Sequence, residues 1–295
     1  MPMKIDYLGH SGFFVETDSV LLLFDYYYGD LSFLGQKPDE KPLFVFASHA
    51  HADHFNPEIF SLADIHHRTK YLLSFDIKGN PAVPEDRNVQ YLDTDRTYAI
   101  EGLGTVMTLL STDEGIAFLV KTACKTLFHA GDLHWWDWPG EDPDWLDQQE
   151  TVFKREIRKI SDTPIDVAFA VLDGRLEENY WKGMALILSV LRPRYVLPMH
   201  FWEDRSIVDR FRELPAFRES ETRVSTCEQR LGELPALREG ETRASACEQR
   251  LRGLPALREV ETRASACEQR LGELPTFRKA ETILLDTTKE THWEI

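Results

Sequence analysis

Short apolar runs, each closed by Gly, Pro, Asp, Asn or Ser, recur through the first 200 residues. Lys4–Leu8, Gly12–Glu16, Val20–Phe24 and Leu43–Ser48 have strand length and strand composition. Tyr71–Phe75, Tyr98–Glu101, Thr105–Ser111, Ala117–Lys121 and Thr126–Ala130 continue the series, followed by Val167–Val171 and Tyr195–Pro198. Longer stretches with helical spacing are Pro57–Ala63, Pro143–Ile160, Glu178–Leu191 and Ser206–Arg212. Ile283–Asp286 and His292–Ile295 read as closing strands. Many strands with a few interspersed helices predict a two-sheet α/β layer fold.

The period changes after residue 212. Residues 213–232, 233–252 and 253–272 are three 20-residue units, the second and third identical at 17 of 20 positions. Pro near each start, Gly near each end and a 3-4-3-4 apolar spacing (Leu237, Gly240, Ala244, Cys247 and Leu251 in the second unit) predict one helix per unit. The face is thin, because Ser, Gly and Ala bury little area. Ten Arg and eleven Glu make the repeat nearly neutral. It reads either as a partner-binding arm or as a tandem duplication tolerated beside a surface loop.

Composition narrows the function classes. Hydrophobic residues are 42% and charged residues 28% of 295, values of a globular chain. The net charge of −16 argues against a nucleic-acid groove or an anionic membrane surface as partner. No run approaches the ~18 apolar residues that span a bilayer. Met1–Tyr7 lacks the basic-then-apolar pattern of an export signal, and none of the four cysteines forms a CxxC pair. A cytoplasmic protein with reduced thiols is expected.

The strongest chemical signal is Ser48-His49-Ala50-His51-Ala52-Asp53-His54, directly after an apolar strand. Three imidazoles and a carboxylate in six residues suit Zn²⁺ and neighbouring divalent ions. His49 and His51, two apart, point the same way from an extended end, and Asp53 and His54 turn toward a second ion. Paired metals about 3.5–4 Å apart need such a set.

This motif resembles the HxHxDH signature of the metallo-β-lactamase superfamily of metal-dependent hydrolases, and further elements match in order. Phe24-Asp25 is similar to the first acidic motif. Phe128-His129-Ala130-Gly131-Asp132 is similar to the strand-end GD, and Leu197-Pro198-Met199-His200 to the last histidine motif. Leu8-Gly9-His10-Ser11-Gly12-Phe13 is similar to the branch of ascorbate-6-phosphate lactonase-like proteins. The resemblance implies a four-layer αββα sandwich: a metallo-hydrolase domain over 1–212, the helical repeat as an insert over 213–272, and closing strands over 273–295.

It further implies a dinuclear centre of Zn or Mn. Site 1 takes His49 and His51, site 2 takes Asp53, His54 and His200, and Asp132 bridges. A hydroxide between the ions is the implied nucleophile, and Asp53 is a candidate proton carrier during product departure. One departure stands out: no His lies between His67 and His129, where the family supplies a third. Asp113, in Thr112-Asp113-Glu114-Gly115, either replaces it as a ligand or caps a turn. A carboxylate there shifts preference toward harder ions such as Mn²⁺.

Other residues complete the reading. Asp25 is expected to orient a ligand histidine rather than bind metal. His10 faces the pocket or anchors the sandwich. His129 reads as core or support, His134 as a residue that reaches substrate or supports the site, and His66 and His67 as solvated surface. Trp135, Trp136 and Trp138 form an aromatic wall or a subunit interface. Arg175 holds a substrate anion or pairs with Asp173.

The expected function is a metal-dependent hydrolase acting on a small polar ester, lactone, amide or phosphodiester. A nuclease or RNA-processing enzyme of the same superfamily ranks lower, for want of a basic exosite. A metal-stabilised scaffold with a protein-binding repeat arm is the non-enzymatic alternative.

Overall fold

The computed structural model describes residues 3–37, 40–214 and 282–295. The 20-residue repeats, with Cys227, Cys247 and Cys267, lie outside the described residues apart from Glu213 and Leu214. Among the described residues, fourteen strands build two seven-stranded sheets.

The first sheet contains β1 (Lys4–Gly9), β2 (Gly12–Glu16), β3 (Leu21–Phe24), β4 (Leu43–Ala47), β5 (Thr69–Ser74) and β6 (Val89–Leu92) in chain order, with β14 (His292–Glu294) beside β1. The second runs β7 (Thr97–Ile100), β8 (Gly104–Leu110), β9 (Ile116–Lys121), β10 (Thr126–His129), β11 (Val167–Val171), β12 (Tyr195–Met199) and β13 (Ile283–Leu284). The described C-terminal residues therefore close one edge of each sheet.

Both sheets are mixed in the same way. The β14-β1-β2-β3 pairs are antiparallel and β3-β4-β5-β6 are parallel. In the second sheet β7 to β10 are antiparallel and β10 to β13 parallel. In such sheets ligands bind outside the carboxyl ends of the parallel strands. Asp25 follows β3 and the His49–His54 run follows β4. Asp132 follows β10 by three residues, Asp173 follows β11 and His200 follows β12. All five segments thus arrive at one end of the sandwich.

Side-chain alternation explains the layering. Phe13, Leu22, Phe24, Phe44 and Phe46 face the second sheet and join Phe118, Phe128 and Phe169 in the central core. Phe14, Leu23, Val45 and Tyr71 point the other way and are covered by Ile59, Phe60 and Leu62. These last belong to a 3-10 turn, Pro57–Ser61, and α1 (Leu62–Ile65). Because both faces are buried, the strands read as continuous apolar runs. On the second sheet, α2 (Pro143–Lys159) contributes Phe153 and Ile157, α3 (Lys182–Val190) contributes Met184 and Ile187, and α4 (Ile207–Arg212) contributes Val208 and Phe211.

The sequence reading omits β6, and it places His66 at the surface. His66 is instead fully buried, its backbone N–H donating to Leu62 O at the end of α1 and its carbonyl accepting from Thr69 Oγ1. No helix among the described residues is long and apolar enough to cross a membrane.

Candidate metal centre

Ser48, the first residue past β4, organises the centre. Its N–H and Oγ both donate to the buried carboxylate of Asp25, at 2.8 and 2.6 Å. Two glycines allow this packing. A Cβ on Gly115 (φ +68°) would lie 2.0 Å from Ser48 O, and one on Gly131 (φ +50°) 2.7 Å from Ser48 Cβ. Each belongs to the segment that brings the second sheet against the His49–His54 run.

The hydrogen-bond network sets the tautomers. His54 Nδ1 donates to Asp25 Oδ2 at 2.7 Å, so its Nε2 carries a lone pair in the neutral ring. His200 Nδ1 donates to Asp173 Oδ2 at 3.0 Å, and its Nε2 turns to Asp132. The hydroxyl proton of Ser48 goes to Asp25, so Ser48 Oγ accepts from His49 Nδ1 at 3.0 Å and leaves His49 Nε2 as a lone pair. His129 is spent: Nε2 donates to Ser11 O and Nδ1 accepts from Gly131 N–H.

What these free nitrogens face is telling. His54 Nε2 lies 3.2 Å from Asp132 Oδ1, yet neither buried atom makes a hydrogen bond. A lone pair against a carboxylate oxygen is repulsive unless a proton or a cation lies between them. Burial alone would lower His54, but Asp132, Asp25 and Asp53 outweigh it and push it up to about 9. His49, by contrast, is lowered to about 4 by burial and by the neighbouring His54. Burial also lowers His10, although Asp53 opposes it. Asp53 and Asp132 are held below the usual carboxylate range despite burial, Asp53 by His10 and His54, Asp132 by His54, His200 and His49.

Two groups of side chains bring ligand atoms within 4.8 Å of one another among the described residues: His10, Asp53, His54 and His200, and His49, His54 and Asp132. Imidazole and carboxylate donors with orphaned buried atoms suit a divalent ion such as Zn²⁺ or Mn²⁺. His51 and Asp113 lie outside both groups. His51 is half exposed, with Nδ1 3.0 Å from His49 Nε2 and Nε2 3.3 Å from Glu114. Asp113 lies on the lip of the same cleft, its N–H held by Ser111 Oγ, and its carboxyl is raised by partial desolvation and by Asp132.

The cleft above the centre holds about 290 Å³. Its walls are Trp136, Trp138, Trp145 and Trp202, with Thr112 and Arg175 between them. Trp135, expected in this wall, faces elsewhere: Lys154 and Lys182 lie over its ring at 4.7 and 5.7 Å. His134 is also absent from the wall. It is fully buried against α3, where its ring fills the space a Gly183 side chain would take, and burial lowers it to about 3. Arg175 pairs with Asp173 through Nε and Nη2, and stacks on Trp138 and Trp202 at 5.5 and 5.0 Å.

Sequence reasoning missed Trp145 and Trp202, which come from α2 and the loop after His200. It also missed the strained backbone. His10, Asp25, His200 and Trp202 have φ of 51°, 40°, 64° and 50°, and all four surround the centre. Such residues cluster where geometry is held for function.

Comparison with known proteins agrees with this geometry. A family model described as a β-lactamase superfamily domain matches residues 4–137. A UPF0173 metal-dependent hydrolase from Opitutus terrae is 30% identical over 217 residues, which cover 68% of this chain and 85% of the relative. One from Pyrococcus abyssi is 25% identical over 217 residues, covering 68% and 84%. The metallo-β-lactamase fold protein YhfI from Bacillus subtilis is 17% identical, covers 72% of this chain and 91% of its own, and superposes with a TM-score of 0.50, which shows the shared fold.

Proposed function

Because the chain belongs to the UPF0173 family of metal-dependent hydrolases, in the metallo-β-lactamase superfamily, we propose that it hydrolyses a small polar ester, lactone, amide or phosphodiester with two divalent ions at the ends of β4, β10 and β12. The observation that carries this reading is the facing pair His54 Nε2 and Asp132 Oδ1, two buried atoms without hydrogen bonds beside further imidazole and carboxylate donors, an arrangement that a bound divalent ion would satisfy.

When bound, the ions supply a nucleophilic water at neutral pH and positive charge for the developing oxyanion. His49, His51, Asp53, His54, Asp132 and His200 would hold them, with Asp113 on the cleft lip a further candidate beside His49 and His51. Asp25 and Asp173 act one step back: each accepts the Nδ1 proton of a ligand histidine and fixes its Nε2 toward the cleft. The Trp136, Trp138 and Trp202 rings exclude water around a substrate, and Thr112 and Arg175 give it polar contacts. Asp53, half-buried on the cleft side, is the candidate for passing a proton to a departing product, a role its position in the cleft lining supports. A cleft of about 290 Å³ favours a small substrate. The likeness of Leu8–Phe13 to lactonase-like proteins supports a cyclic ester among the candidates. Zn and Mn are the ions this donor set favours.

Hydrolysis of p-nitrophenyl acetate and of bis(p-nitrophenyl) phosphate by the purified full chain tests the reading. Turnover of at least one probe, abolished by a chelator and restored by Zn²⁺ or Mn²⁺, is expected. A folded protein that retains no divalent ion and hydrolyses neither probe contradicts it.

A further inference from the structure

The two groups of ligand atoms are unequal. His54 belongs to both, yet its Nδ1 is committed to Asp25 and a single Nε2 lone pair serves one ion. Given to the first group, it completes four side chains: His10, Asp53, His54 and His200. The second is left with His49 and Asp132, and its remaining imidazole, His51, is half exposed and hydrogen-bonded to His49. The chain also offers no imidazole between His67 and His129 to repair that side.

His10 is what makes the first group full. It sits in the β1–β2 turn, and its carbonyl accepts the N–H of His200 at 3.1 Å, tying the turn to the loop after β12. Its ring centroid lies 4.3 Å from that of His200 and 5.3 Å from that of His54. Trp202, 4.5 Å away, shields it. His10 is 95% buried, and its Nε2 stands 3.1 Å from Asp53 Oδ2 without hydrogen-bond geometry. A buried imidazole nitrogen aimed among three other ligand atoms, in 3.1 Å contact with one carboxylate oxygen yet without hydrogen-bond geometry to it, has the placement of a ligand.

We propose that His10 is a direct ligand, so that His10, Asp53, His54 and His200 hold one ion tightly while the ion at His49, His51 and Asp132 is held weakly and joins only at higher metal concentration. The inference rests on the metal-dependent reading above. It adds that the two positions load in sequence and that the β1–β2 turn supplies a donor.

The test uses the full chain, stripped with a chelator, reloaded with Zn²⁺ and passed through gel filtration. Elemental analysis of the parent should find about one ion per chain, with a second binding at least about tenfold more weakly in titration. X-ray absorption of that one-ion protein should count three imidazoles per Zn²⁺. His10→Asn, a residue type that tolerates positive φ, should reduce the count to two and weaken retention by about tenfold or more. His49→Asn should leave the retained ion in place. Two ions held equally, or two imidazoles in the parent, would overturn the proposal while leaving the hydrolase reading standing; a folded parent that retains no ion would overturn both. The parent's imidazole count decides even if His10→Asn fails to fold.

Discussion

Asp25 Oδ2 and His54 Nδ1, 2.7 Å apart and both fully buried, are matched across the sandwich by Asp173 Oδ2 and His200 Nδ1 at 3.0 Å. Asp25 ends β3, where the first sheet turns from antiparallel to parallel. Asp173 follows β11, one strand beyond the corresponding change in the second. Each carboxylate fixes the tautomer of a histidine whose other nitrogen points to Asp132. The centre is therefore organised by two charged residues that need not touch an ion.

Asp25→Ala should separate orientation from ligation. The substitution leaves Ser48 N–H, Ser48 Oγ and His54 Nδ1 without their acceptor in a site closed to water. Breaking a buried charged network costs about 3–5 kcal/mol, and loss of an outer partner weakens metal binding roughly 10–100-fold. Urea unfolding of chelated protein reads the first effect, and competition with a chromophoric chelator the second. Unchanged metal affinity in folded Asp25→Ala would mean that His54 needs no orienting carboxylate.

Gly183→Ala should destabilise the protein, against the usual trend. In an exposed helix interior, Ala is better than Gly by roughly 0.5–1 kcal/mol. Here the new Cβ would stand 2.2 Å from His134 Cε1, and that ring is buried with no space to retreat. Overpacking of this kind costs about 1–3 kcal/mol. Denaturant midpoints of Gly183→Ala, and of Gly183→Ala with His134→Ala, give the sign and the coupling. The second change should recover part of the loss.

The site was more legible than its surroundings because most of its candidate ligands are local in sequence. His49, His51, Asp53 and His54 share one loop, and Asp132 and His200 each sit at the end of an apolar strand. The Asp173–His200 contact spans 27 residues and depends on β11 and β12 pairing in parallel, which no local pattern records. Trp135 and Trp136 differ by one position in a loop without a period, so nothing in the sequence says which ring faces the cleft. Val89–Leu92 carries Gln90 among four residues, too short and polar to stand out as β6. His66-His67 looks solvated because burial of His66 follows from the turn after α1, not from its neighbours.

Acid should weaken the fold through His134. Its folded value of about 3 lies below the ordinary 6.5 of an exposed imidazole because burial disfavours the charge. Between these values the unfolded chain binds a proton that the native state refuses. The neutral residue's contribution is therefore fully present above pH 6.5 and is lost as pH falls toward 3, by up to about 1.4 kcal/mol per pH unit. Urea unfolding at pH 7.5 and at pH 5.0 should differ by about 2 kcal/mol more in the parent than in His134→Leu. Equal differences would mean that His134 is protonated in the native state.

Arg175 has two duties that kinetics can separate. Half of its side chain is exposed in the cleft between Trp138 and Trp202, while its Nε and Nη2 hold Asp173 and, through Asp173, His200. If it meets substrate, Arg175→Gln removes a positive charge felt by an anionic probe and not by a neutral one. Charged hydrogen bonds are worth about 1.5–3 kcal/mol, so KM for bis(p-nitrophenyl) phosphate should rise roughly tenfold or more. KM for p-nitrophenyl acetate should stay within about twofold. If it acts only through Asp173, His200 loses its fixed orientation, and kcat and metal retention fall together for both probes. Steady-state kinetics on the two probes, with metal content measured on the same samples, assigns Arg175 to one role, and equal losses on both would remove it from substrate recognition.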